Sequence, residues 1–195
     1  MTLRSEGVGY RFPTADQRAV DGFDLVVDAG TFVLLTGPTG CGKSTWMRLA
    51  AGLLQRHGSG TVDGRIELDG VPVDGLLPSH RVARLGFVAQ VPHDQIITGT
   101  VGDEVAFGLE SAGQNAEEIE AGVRRALQSV QLDMSDDHPS TALSGGQMAR
   151  LVVASAIAGS PSVLLLDEPL AQLDPPAAAA LLGVLRAIAD AGTAV

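Results

Sequence analysis

The 195-residue sequence contains one cysteine, Cys41, so no internal disulfide can staple the fold, and a reducing compartment is compatible with the chain. It is also short of positive charge: 13 lysines and arginines against 23 acids leave a formal charge of −10. Broad nucleic-acid binding rests on basic surface that neutralises phosphates, and none is expected here. Long apolar runs are missing as well. The longest uncharged stretch, residues 151–166, is interrupted by GSP and falls short of the ~18 apolar residues that a membrane span requires, so any membrane association is expected to be peripheral. The opening MTLRSEGVGYRFPTADQR lacks the apolar centre of a secretory signal, and no repeat or low-complexity tract is visible. What remains is a composition with 45% hydrophobic residues, ample for a core in one domain or one domain with an inserted lobe.

Patterning along the chain predicts an α/β fold. TFVLLTG (31–37) reads as a short buried strand, and KSTWMRLAAGLL after it carries apolar residues at helical spacing. GTVDGRIELDGVPVDG alternates apolar and polar residues between glycines, as short antiparallel strands do; residues 1–35 and 58–90 are expected to make a small β-rich lobe. A helical lobe over about residues 94–145 follows, with TVGDEVAFGLES and then NAEEIEAGVRRALQSVQL, whose Ile119, Val123, Leu127 and Val130 share one face. PSVLLLDEP is a second buried-strand signal. In DPPAAAALLGVLRAIADAG, Asp174 is placed as N-cap, Pro175 in the first turn and Gly192 just past the end of a helix, and TAV then begins another strand.

Two stretches carry chemistry in their own right. GPTGCGKST, Gly37 to Thr45, meets the pattern GxxxxGK[ST] between a strand and a helix. Its residues Gly37, Pro38, Thr39, Gly40, Cys41, Gly42, Lys43, Ser44 and Thr45 are candidate phosphate ligands: glycines let successive N–H groups point inward, and the helix that follows favours anions at its start. Lys43 is expected to reach the β- and γ-phosphates and Ser44 to hold Mg²⁺. Cys41 fits as a small residue of the loop. VLLLDEP places Asp167 at the C-terminal end of a strand, as a Mg²⁺ ligand through water, and Glu168 beside it as the group that polarises an attacking water. The plainer reading, two solvated acids at a strand end, loses force beside four apolar residues and a phosphate loop.

LSGGQ (143–147) opens an apolar helix. Alone it reads as an N-cap and a flexible turn. Combined with the phosphate loop, Ser144, Gly145, Gly146 and Gln147 are expected to cover the far side of a triphosphate bound by a second copy or a homologous subunit.

Together these elements resemble the ATP-binding cassette (ABC) family along essentially the whole chain. GPTGCGKST looks like its Walker A motif, LSGGQ its signature, VLLLDEP its Walker B motif, and LAQLDP its D-loop, with Asp174 the aspartate. The resemblance implies that Gln90, in GFVAQVP, contacts Mg²⁺ and the attacking water and couples the site to a membrane partner. PHDQ followed by TVGDEVAFG is similar to the ATPase subunits of energy-coupling-factor transporters, importers of vitamins and transition metals. Phe12 looks like the aromatic that stacks on adenine, with Tyr10 second; core packing is the alternative for either.

Two departures stand out. Met148 follows the signature glutamine where a polar residue is common, and none of His57, His80, His93 and His138 occupies the place of the family's switch histidine. The resemblance therefore implies a cassette incomplete at its C-terminus, with weak hydrolysis in isolation. The implied activity is ATP binding and hydrolysis by a dimer of cassettes, with ATP and Mg²⁺, at the cytoplasmic face of the cell membrane beside an integral membrane subunit. A conventional importer, a non-transport protein acting on ribosome or DNA, and a regulatory subunit that has lost hydrolysis are the alternatives.

Overall fold

The computed structural model describes residues 2–54 and 60–195; His57 lies outside them. Strands β1 (Leu3–Arg11), β2 (Val20–Val27), β3 (Thr61–Leu68) and β4 (Val71–Pro72) form an antiparallel sheet in the order β2-β1-β3-β4. Asp69 and Gly70 turn β3 into β4 with φ of 50° and 76°, the left-handed geometry of a tight hairpin. Strands β5 (Leu85–Val88) and β6 (Val163–Leu166) pair in parallel, Leu85 opposite Val163 and Val88 opposite Leu166.

Among the described residues six α-helices complete the framework: α1 (Lys43–Ala50), α2 (Pro78–Val82), α3 (Val101–Ser111), α4 (Ala116–Ser129), α5 (Gly145–Ile157) and α6 (Pro175–Asp190). Their ends follow local chemistry. Asn115 and Glu118 form a reciprocal capping box on α4, and the Asp174 carboxylate accepts from Ala177 N at 2.8 Å to cap α6. Helix α1 stops at Ala50, short of the apolar pattern, because Gly52 turns left-handed (φ 67°), with Gly52 N bonded to Leu49 O and Leu53 N to Arg48 O. The buried Arg81 guanidinium seals that end, donating to the carbonyls of Ala51, Gly52, Val73 and Leu76.

Two apolar cores result. Val105 and Leu109 of α3, Val123 and Leu127 of α4, Leu151 of α5 and Leu185 of α6 pack into one. Leu3, Val8 and Tyr10 of β1 pack with Trp46 and Leu49 of α1 and Leu68 of β3 in the other. On α4, Val123, Leu127 and the following Val130 are buried and Ile119 packs against the same core, as the helical spacing predicts.

Two expectations are corrected. Residues 31–37 form no regular strand. Val33 N donates to Val195 O at 2.7 Å and Val195 N to Thr31 O at 2.8 Å, while Leu34 is 79% exposed. A strand persists only where a neighbour continues the ladder, and here residues 194–195, bridged on their other side to Val163, pair only the first part of the run. The proposed β-lobe over 58–90 also divides: LGFV of β5 joins β6 instead. Its residues are mostly buried, which suits a parallel sheet covered on both faces better than a half-solvated antiparallel one. Among the described residues no helix is long and apolar enough to cross a membrane.

Candidate functional site

The phosphate loop runs from Gly37 into α1. Gly40 and Gly42 adopt φ of 82° and 98°, and Gly42 is the N-cap of α1. A Cβ on Gly42 would collide with Ala19 O and lie 3.1 Å from Val20, so the end of the β1–β2 hairpin presses directly on the loop. Lys43 Nζ donates to Gly37 O (2.8 Å) and Pro38 O (3.0 Å), which places the ammonium within the loop. Cys41 is exposed, its Sγ 3.8 Å from that ammonium. Cys41 N closes a turn on Pro38 O across Thr39. Thr45 lies in the first turn of α1.

The ends of β5 and β6 bring the remaining polar groups to this loop. Asp167 N bonds to Val88 O at 2.9 Å, extending the parallel pairing past β6. The Asp167 side chain, only 3% exposed, accepts from the Ser44 hydroxyl at 2.9 Å. A hydroxyl and a buried carboxylate at this distance are hard oxygen donors, which suits Mg²⁺, an ion that keeps several waters and shares the rest of its shell with phosphate. Among the described residues no group of three or more His, Cys, Asp and Glu is placed to hold a metal ion.

Glu168 follows with φ 51°, a left-handed conformation in which side chains are strained by ~1–2 kcal/mol. The kink turns its carboxylate across to the neighbouring strand end, where it accepts from Gln90 Nε2 at 3.1 Å. Lys43, Asp167 and Glu168 line a cleft of about 470 Å³ together with Leu34, Leu166 and Val195. The structure thus brings Lys43, Ser44, Gln90, Asp167 and Glu168 together.

Phe12 lies one residue past β1, 37% exposed, its ring edge-on to Tyr10 at 4.8 Å. Tyr10, 1% exposed, belongs to the core. LSGGQ is placed separately. Ser144 N donates to Gln147 Oε1 (2.9 Å) and Gln147 N to Ser144 Oγ (3.3 Å), a capping box on α5. A Cβ on Gly146 would lie 3.2 Å from Ala177, so the start of α5 adjoins the start of α6, where Asp174 sits. Met148 continues α5, with its N bonded to Ser144 O. His80 lies in α2, His93 in the turn Pro92–Gln95, and His138 accepts from Val101 N through its carbonyl.

Two residues that sequence reasoning gave no chemistry hold the chain on either side of the turn Pro92–Gln95. The buried Glu104 carboxylate accepts from Ile97 N, Thr98 N and Thr98 Oγ1 at 2.8 to 3.0 Å. The Gln95 carboxamide bonds to the backbone of Phe87 and Ala89. An acid on the buried face of α3 was the available signal for the first; nothing local signals the second.

A glycine loop capping a helix, a hydroxyl–carboxylate pair at its foot and a parallel strand end beside it define a P-loop nucleotide-binding α/β protein. A family model described as ABC transporter matches residues 20–171, and the chain belongs to that family, of which it carries the ATPase domain. Relatives include a putative ABC transporter ATP-binding protein of Halobacterium salinarum, 42% identical over 180 residues, 92% of this chain and 75% of that protein. Others of the same description come from Methanosarcina mazei (38% identical, 91% of this chain, 30% of that protein) and Streptomyces avermitilis (38%, 99% and 35%). The chain spans about a third of the length of these last two.

Among solved structures, cbiO1 of Clostridium perfringens, part of the ABC transporter complex cbiONQ, superposes with a TM-score of 0.83 at 28% identity, over 97% of this chain and 74% of that one. The fold is shared with the ATP-binding cassette MJ0796, a dimer bound to ADP and Pi, at a TM-score of 0.80, 24% identity, 97% of this chain and 83% of that one.

Proposed function

We propose that the chain is the ATP-hydrolysing cassette of an energy-coupling-factor importer, acting as a dimer of cassettes beside an integral membrane subunit at the cytoplasmic face of the cell membrane. The observation that carries hydrolysis is the meeting of Gln90 and Glu168 beside the Ser44–Asp167 pair. The likeness to cbiO1, together with PHDQ and TVGDEVAFG, supports the importer type.

In this reading the loop from Gly37 to Thr45 wraps the phosphates with backbone N–H groups, and Lys43 moves its donors from Gly37 O and Pro38 O to the β- and γ-phosphates. Mg²⁺, held by Ser44, Gln90 and Asp167, supplies charge neutralisation on the phosphate oxygens. Glu168 accepts a hydrogen bond from the attacking water, and Gln90 orients both. Catalysis is positioning and charge stabilisation of an in-line attack, with no covalent intermediate. Phe12 stacks on the adenine from the hairpin that abuts the loop. Ser144, Gly145, Gly146 and Gln147 of a second copy close on the γ-phosphate, with Asp174 beside them at the interface.

The membrane subunit docks between the helical lobe, residues 94–145, and Gln90. Exposed Val82 of α2 and Phe107 of α3 flank the place where the two helices approach at Gly108.

The test is Glu168→Gln. The variant is expected to bind ATP as before and to accumulate as an ATP-dependent dimer on size exclusion, with turnover lost. Unchanged turnover ends the assignment of Glu168. A pull-down from detergent-solubilised host membranes tests the importer type: a transmembrane scaffold with a small membrane binding protein is the expected result, and ribosomal or DNA-repair components without membrane protein contradict it.

A further inference from the structure

The outer edge of β5 ends against a side chain rather than a strand. Within β5 and just beyond it, the backbone of Val88 faces β6, as the bond from Asp167 N to Val88 O shows. Alternation along a strand turns the N–H and C=O groups of Phe87 and Ala89 to the opposite edge. There the Gln95 carboxamide takes both: its Oε1 accepts from Ala89 N at 2.6 Å, and its Nε2 donates to Phe87 O at 3.2 Å. One side-chain amide thus imitates a residue of a neighbouring strand. It can do so because the turn Pro92–Gln95, anchored by buried Pro92, folds the chain back on itself.

We propose that Gln95 is a positioning residue for ATP hydrolysis, acting through Gln90. This rests on the hydrolytic reading above. Ala89 is the residue before Gln90, and its backbone is held on one edge by Gln95 while Val88 is held on the other by Asp167. Gln90 therefore leaves a segment clamped from both sides, and from it Nε2 reaches Glu168 at 3.1 Å. Removal of the clamp frees the Ala89–Gln90 peptide to rotate, and a displacement of about 1 Å at the side-chain tip is enough to break that contact. Gln95 itself bonds to the backbone of Ala89 and Phe87, and so acts on the site through that backbone. Glutamine suits the task because it supplies one acceptor and one donor side by side. Glutamate keeps the acceptor for Ala89 N–H and sets a second oxygen against Phe87 O.

The experiment is a double-mutant cycle in steady-state ATPase activity, run on the protein assembled with its partner subunits: wild type, Gln95→Ala, Gln90→Ala and the double variant. Gln95→Ala is expected to lower kcat ~10-fold with KM for ATP within ~2-fold, and to add nothing in the Gln90→Ala background. Gln95→Glu is expected to fall between wild type and Gln95→Ala, and it takes the place of the alanine variant in the cycle if that variant does not fold. Losses that multiply across the cycle, or a raised KM at constant kcat, overturn the proposal. Two further readouts separate this failure from that of the hydrolytic reading. Turnover insensitive to Glu168→Gln removes the hydrolytic role assigned to the site and the proposal with it. Amide exchange at Ala89, whose N–H the Gln95 Oε1 accepts, tests the clamp itself: exchange in Gln95→Ala no faster than in wild type overturns the clamp whatever the kinetics.

Discussion

Gln90 and Glu168, 78 positions apart in the chain, meet at 3.1 Å because parallel β5 and β6 end side by side and Glu168 departs from its strand in a left-handed conformation. The contact links the segment leading towards the helical elements with the acid beside the phosphate loop. A strained backbone conformation of this kind persists only where the surrounding structure holds it in place. Here the bond from Asp167 N to Val88 O, one residue before Glu168, supplies that restraint.

Gly42→Ala is expected to be far more damaging than Gly40→Ala. Both glycines have positive φ, but a Cβ at Gly40 meets nothing within 4 Å, whereas at Gly42 it collides with Ala19 O. The Gly40 variant bears only conformational strain, ~1–2 kcal/mol, while the Gly42 variant must also push the β1–β2 hairpin off the loop, for a total of ~3 kcal/mol or more. Urea denaturation without nucleotide separates them. Equal losses would show that the hairpin yields freely.

Ser5→Ala is expected to cost ~1–3 kcal/mol, out of proportion to one hydroxyl. The Ser5 oxygen accepts from Trp46 Nε1 at 3.0 Å, and both residues are buried, so the substitution leaves an indole N–H without its acceptor. Trp46→Phe removes the donor, and the double variant is expected to lose less than the sum of the singles. Circular dichroism follows all four proteins through unfolding; strict additivity contradicts the pairing.

Much of this site can be read locally. Lys43 and Ser44 are legible because loop, cap and helix are consecutive, and Asp174 is legible because an N-cap needs only the residues that follow it. Apolar runs are less informative: residues 31–37 read as a buried strand and form none, while LGFV, expected in the antiparallel lobe, joins the parallel sheet. The run records hydrophobicity, whereas strand formation depends on what lies alongside. Glu104 carries a partial signal, as an acid on the buried face of α3, whereas Gln95 carries none. The partners of Gln95 are backbone groups on the open edge of β5 and those of Glu104 lie at Ile97 and Thr98, both brought within reach by the fold of the chain around Pro92–Gln95.

Glu104→Ala is expected to destabilise the protein by ~2 kcal/mol or more, an unusual cost for removing an acid. Its carboxylate accepts three hydrogen bonds from Ile97 and Thr98 near the start of α3, where negative charge is also favoured. Glu104→Gln keeps an acceptor oxygen but loses the charge, and an intermediate cost is expected. Chemical denaturation of the three proteins gives the order. A loss below ~0.5 kcal/mol in the alanine variant is that of an ordinary surface position and contradicts the anchoring role.

Ser144→Asp separates the two roles assigned to the signature serine. As an N-cap, Ser144 needs only an oxygen for Gln147 N, and aspartate caps about as well, with its charge favoured at the start of α5. Stability is therefore expected to change by less than ~0.5 kcal/mol, where Ser144→Ala loses about 1 kcal/mol. As the group that closes on the γ-phosphate of a second copy, however, a carboxylate opposes the phosphate directly. Nucleotide binding to the phosphate loop of one copy is expected to persist, since LSGGQ and the loop lie apart in the chain's own fold, while the ATP-dependent dimer of the Glu168→Gln background disappears. Equilibrium binding of a fluorescent ATP analogue and size exclusion with Mg·ATP read the two effects separately. A dimer that forms as readily after the Ser144→Asp substitution as before it would leave the serine as a helix cap and nothing more.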